Sequence, residues 1–79
     1  MLELSEVFRL GTEITEVLLT RGGVIPLDSF LGAYKSLTGK NLDPTVFGYN
    51  SIESLLSSYH SIVNLRNRTI VIKVFINLI

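Results

Sequence analysis

The chain has no cysteine and no tryptophan, and only one histidine, one methionine and two prolines in 79 residues. Without cysteine it can form no disulfide, no thiolate-bound zinc site and no thiol nucleophile. One histidine, His60, is too few for a histidine-rich metal centre, so neither a metal nor an organic cofactor is expected. Charge of a single sign is also missing. Seven Lys and Arg balance seven Asp and Glu to a formal net charge of zero, so no overall field draws the chain toward nucleic acid or an anionic membrane. Any charged partner must therefore be recognised locally. Long apolar runs are absent too: the stretch from Ile70 to Ile79 is broken by Lys73 and Asn77 and reaches about half of what a membrane-spanning helix needs. The opening Met1-Leu2-Glu3-Leu4-Ser5-Glu6 lacks the basic start and apolar centre of a secretory signal. The expectation is one soluble, intracellular domain over residues 1–79, without a membrane partner, burying roughly 60 to 65% of its unfolded surface.

What is present is helical periodicity punctuated by glycine. Leu4, Val7, Phe8, Gly11, Ile14, Val17 and Leu18 recur at three- and four-residue steps, which predicts an amphipathic helix from about Leu4 to Thr20 with Glu3, Glu6, Glu13 and Glu16 off its apolar stripe. Gly22 and Gly23 end it, and Val24-Ile25-Pro26 allows a very short strand. A second helix is expected from Asp28, with Leu27 just outside and Phe30, Leu31, Tyr34 and Leu37 on its buried side, ending at Gly39. Lys40-Asn41-Leu42-Asp43-Pro44 then reads as a turn that opens a helical turn at Thr45 and Val46.

The most informative stretch follows. Phe47-Gly48-Tyr49 is an aromatic corner that leads into Asn50, a residue suited to cap a helix, with Glu53 three positions on to complete a capping-box-like pair. Ile52, Leu55, Leu56 and Tyr59 share one face of that helix, while Ser51, Glu53, Ser54, Ser57 and Ser58 form a small polar face. Beyond it, Ile62–Arg66 and Thr69–Lys73 are β-branched runs separated by Asn67-Arg68, and asparagine tolerates the positive φ of a tight hairpin. The predicted fold is α+β: a winged helix-turn-helix with three main helices and a small three-stranded antiparallel sheet, in the order helix-strand-helix-helix-strand-strand.

The series Gly23-Val24-Ile25-Pro26-Leu27, Phe30, Tyr34, Gly39, then Phe47-Gly48-Tyr49 and Leu55-Leu56 before the hairpin resembles the LOTUS domain, also called OST-HTH, from about Phe8 to Ile72. The resemblance implies a winged-helix module of germline and RNA-regulating proteins, with binding of RNA that includes guanine-rich and quadruplex-forming RNA, and a place in the cytoplasm or in ribonucleoprotein granules. For an extended subgroup with an additional C-terminal helix it implies binding of a DEAD-box helicase. Val74-Phe75-Ile76-Asn77-Leu78-Ile79 is β-branched-rich and lacks a cap, so the minimal, RNA-binding type is the expectation and a helicase the lesser one.

The candidate RNA footprint is Lys40 and Asn41 before the third helix, Tyr49, Asn50 and Ser51 at its start, and Arg66, Asn67 and Arg68 on the wing. Arginines beside a hairpin turn suit a sugar-phosphate backbone. The alternative is that hairpin tips and turns are charged because they are wet. With Lys40, Arg66 and Arg68 as its only cations, such a footprint gives a log–log salt slope of about −2 to −3, leaving much of the affinity to shape and stacking. Tyr49 is the candidate stacking ring, with a structural role as wedge of the corner the favoured alternative. Tyr34 and Tyr59 are expected in the core with satisfied hydroxyls, and Phe8, Phe30 and Phe47 with them.

Catalysis is not expected. His60 has no acidic neighbour in sequence to orient it and is assigned to capping the end of the third helix. The serines lack a Gly-x-Ser-x-Gly elbow, and no phosphate-binding loop is present. A reading of a different class is a protein-interaction scaffold. Val74, Phe75, Ile76, Leu78 and Ile79 form an apolar overhang beyond the hairpin, which either folds back under the first helix or pairs with a second copy to give a homodimer.

Overall fold

In a computed structural model the chain is described over residues 4–73, the side chain of Leu4 excepted. Helix α1 runs Leu4–Thr20, strand β1 Val24–Pro26, helix α2 Leu27–Thr38, a 3-10 turn Pro44–Phe47, helix α3 Ile52–Ser58, and strands β2 Val63–Arg66 and β3 Thr69–Ile72. The sheet is antiparallel in the order β1-β3-β2, with Ile25 opposite Ile70 and Leu65 also opposite Ile70. The helices cover one face of this sheet, and β2–β3 is the wing. The helix order, the three strands and the bounds of α1 follow the sequence reading.

The core forms where α1, α2, α3 and the sheet meet: Leu10, Ile14, Val17 and Leu18 pack with Ile25, Phe30, Leu55, Leu56, Val63 and Ile70. Each fully buried aliphatic side chain contributes about 1.5 to 3 kcal/mol relative to exposure. Phe30 is wholly buried and lies 6.2 Å from the Tyr34 ring, tilted by 39°.

Three expectations about the core need correction. Phe8 is 71% exposed and Val7 39%, while Leu10, omitted from the predicted stripe, is 1% exposed. At 100° per residue Phe8 stands about 120° from Ile14, and Val7, though only about 20° from Ile14, lies in the first turn of α1 and borders an open groove. On α2, Leu31 and Leu37 are exposed. Leu31 is turned about 100° from Phe30, and Leu37 lies in the last turn. Glu13, expected on the solvated face, is only 15% exposed in its side chain.

The helix ends also differ in detail. Helix α2 begins at Leu27, with Pro26 as its cap residue and no side chain capping it. Instead the Leu27 N–H donates to the Arg68 carbonyl at 2.8 Å, so the tip of the wing caps α2. Helix α3 is capped by Ser51, whose Oγ accepts from the Ser54 N–H at 3.1 Å, and not by Asn50. Ser51 holds the extended backbone of a cap residue, at φ −152° and ψ 164°, which moves the cap one residue along and frees Glu53 from the expected capping box. Among the described residues the His60 imidazole makes no hydrogen bond to the end of α3. Tyr59 ends α3, and Lys73 brings the cation there by donating from Nζ to the His60 carbonyl at 2.8 Å.

Gly48, at φ +88°, makes the corner possible, since a side chain there would be strained in the left-handed region. The turn before it is fixed by Asp43, whose Oδ1 accepts from the Thr45 N–H at 3.0 Å and from the Thr45 hydroxyl at 2.7 Å. Those two bonds hold the Asp43 carboxyl below its ordinary pKa.

Candidate nucleic-acid interface

The wing turn is made by Asn67 and Arg68, both at positive φ, 50° and 57°. Two consecutive left-handed residues are what the tightest hairpin turn requires. Asparagine adopts this conformation readily, whereas arginine in it costs about 1 kcal/mol. The turn places Arg66 opposite Thr69 at the end of the ladder, with its side chain exposed. Among the described residues Arg66 enters no ion pair.

Arg68 joins three elements. Its Nη2 lies 2.6 Å from Asp28 Oδ1 in the first turn of α2, and its Nη1 3.9 Å from Glu53 Oε2 in the first turn of α3. The wing tip and the starts of both helices therefore meet at one corner of the molecule. Asn50, exposed, and Ser51, half-buried and occupied as a cap, lie within one helical turn of the Glu53–Arg68 contact. The contact brings Arg68, with Asn67 beside it in the turn, to the start of α3 near Asn50 and Ser51, while Arg66 alternates with the inward Val63 and Leu65 and projects from the opposite face of β2.

Tyr49 is half-buried and packs against the core, with its backbone N–H donating to the Pro44 carbonyl at 3.0 Å. Burial first, and then the neighbouring Tyr49, raise the pKa of Tyr59. Tyr49 is thus set half inside the corner. Lys40 and Asn41 are not at the wing. They follow α2, and the length of that helix, about 18 Å, sets them at its other end from Asp28. Lys40 Nζ pairs with Glu13 Oε2 at 3.1 Å, and the other oxygen of Glu13 accepts from the Tyr34 hydroxyl at 2.5 Å. Val74, Phe75, Ile76, Leu78 and Ile79 lie outside the described residues.

The fold is thus a wing folded over the starts of two helices, with a glycine-aromatic corner leading into the second. A family model described as the OST-HTH/LOTUS domain matches residues 5–71. The chain belongs to the OST-HTH/LOTUS family. No curated protein matches it. No solved structure matches it either. The family is associated with RNA-binding and germline regulators and is not an enzyme family. Within the LOTUS domain the Glu13–Tyr34–Lys40 triad was missed by sequence reasoning, because glutamate on a helix flank carries no local sign of burial. It resembles an acid-base group, yet burial, with the hydrogen bond and charge of Glu13, pushes the Tyr34 phenol up to about 12. Such a phenol is a poor general acid or base near neutral pH, so the triad fastens the end of α2 to α1. Among the described residues no group of His, Asp and Glu is placed to hold a metal ion, and no helix is long and apolar enough to cross a membrane.

Proposed function

We propose that this LOTUS domain is an RNA-binding adaptor of the minimal type within a post-transcriptional or germline regulator, engaging structured or guanine-rich RNA through the corner formed by the wing tip and the start of α3. One observation carries the reading: the Arg68–Glu53 contact sets the wing tip beside the first turn of α3, with Asn67 and Asn50 exposed and Arg66 exposed at the end of β2. Arg66 supplies the phosphate contact, Asn67 and Asn50 supply hydrogen-bonding groups, and Tyr49 holds the platform in shape. With Lys40 at the far end of α2 and Arg68 paired to acids, the electrostatic share is smaller than three cations provide, giving a salt slope of about −1 to −2. Affinity then depends on shape and on contacts to unpaired bases. Granule localisation follows as a consequence of binding RNA.

The test is a titration of guanine-rich, unstructured and duplex RNA against the wild type and Arg66→Glu. The reading expects preference for the guanine-rich RNA and a loss of about tenfold or more at low salt for the substitution. Equal, negligible binding to all three RNAs rejects it in favour of a scaffold. For that second reading the specific observation is a groove of about 370 Å³ bordered by Val7, Phe8, Tyr59 and Ile62, beside which Phe8 stands 71% exposed.

A further inference from the structure

The two arginines of the wing are held differently. Arg66 is exposed without an ion pair among the described residues, whereas the guanidinium of Arg68 is divided between carboxylates from two helices, Asp28 at 2.6 Å and Glu53 at 3.9 Å. The side chains of Arg68, Asp28 and Glu53 are 64%, 78% and 53% exposed, so a phosphate reaching the corner competes with both acids for the same donors. Arg68 also occupies a left-handed turn position, at φ 57°, that glycine would hold without the penalty a Cβ carries. A strained arginine at an exposed turn points to a use for its side chain. Arg66, Arg68, Asp28 and Glu53 together sum to no net charge, and Lys40 stands apart, paired with Glu13.

We infer that Asp28 and Glu53 gate Arg68: they hold its guanidinium off the RNA backbone, leave Arg66 as the wing's one free cation, and so set how strongly the domain binds phosphate. This inference rests on the RNA reading of the same corner. It assigns a role to two acidic residues that contribute nothing attractive to RNA. It also means that freeing the second arginine requires no change in the fold, because asparagine and glutamine match the two acids in shape.

Fluorescence anisotropy with a labelled guanine-rich RNA and a labelled uridine oligomer of equal length, at several salt concentrations, tests it on the wild type, D28N/E53Q, R68A and the triple variant. Removing both acids is expected to tighten binding of both RNAs about three- to tenfold at low salt, the worth of two exposed ion pairs, and to steepen the salt slope by about one. In the R68A background the same two substitutions are expected to change affinity by less than about twofold. Wild-type or weaker affinity in D28N/E53Q overturns the gate, and so does an equal gain without Arg68, which would mean plain repulsion. RNA binding by the wild type with either result overturns this inference alone. No binding by any of the four proteins overturns the RNA reading and the gate with it.

Discussion

Replacing Tyr34 with phenylalanine removes one oxygen from a residue that is 3% exposed, and its cost can be worked from the triad it belongs to. The hydroxyl donates to Glu13 Oε1 at 2.5 Å, and the remaining partner of that carboxylate among the described residues is Lys40, at 3.1 Å from Oε2. A hydrogen bond to a charged group is worth about 1.5 to 3 kcal/mol. Because Glu13 keeps Lys40 and some water, the lower end applies, about 1.5 kcal/mol. For a domain of 79 residues that lowers the melting temperature by about 6 to 12 °C. The pKa agrees in sign: burial first, and then the hydrogen bond and charge of Glu13, raise it from 10.0 to about 12, so the neutral phenol that donates to Glu13 is the favoured form. A pKa raised in the folded state means that this stabilisation is fully present below pH 10 and is lost as pH rises through about 12. The wild type should therefore lose its advantage over the variant only in that alkaline window. Urea unfolding followed by circular dichroism, at neutral pH and across that window, measures both. A neutral-pH difference below about 0.5 kcal/mol, or one that persists unchanged above the window, would refute the reasoning.

Other substitutions separate competing assignments. Ser51→Ala should cost about 1 kcal/mol in thermal or urea unfolding as the α3 cap is lost, whereas Asn50→Ala should stay within about 0.5 kcal/mol; the reverse order would restore Asn50 as the cap. At Gly11 a Cβ would meet Tyr59 Cε2 at 3.3 Å and Ile62 Cδ1 at 3.4 Å. For Gly11→Ala, a helix-propensity gain of about 1 kcal/mol nearly offsets that contact, and the net change should lie within about 0.5 kcal/mol. Gly11→Leu adds three heavy atoms beyond a Cβ already held against Tyr59 and Ile62, and unfolding measurements should show a loss of about 1 to 3 kcal/mol as Tyr59 is pushed off α1.

Sequence pattern was enough wherever structure is local. The three- and four-residue spacing of Ile14, Val17 and Leu18, the glycine pair after α1 and the β-branched runs around Asn67-Arg68 each act over a few neighbours, and each produced the expected element. What escaped depends on residues far apart in the chain. The Leu27 N–H is capped by the Arg68 carbonyl, and Arg68 is bound by Asp28 across a sequence separation of 40. Glu13 is half-buried because Tyr34, 21 residues on, lies across it. Phe8 fits an apolar spacing, but which part of a stripe meets the core depends on where the other elements end. The candidate site divides in the same way. The hairpin turn at Asn67-Arg68 was legible from turn chemistry, whereas the α3 cap fell one residue beyond the expected Asn50, and the separation of Lys40 and Asn41 from the wing depends on the length and direction of α2.

Following backbone amide resonances of the labelled domain as guanine-rich RNA is added tests the platform directly. The account predicts that the amides of Asn50, Ser51, Arg66 and Asn67 move together and saturate with one affinity, while Glu16 and Leu19 on the exposed side of α1 stay still. Shifts gathered instead around Val7, Phe8 and Ile62, or none anywhere at saturating RNA, would contradict it.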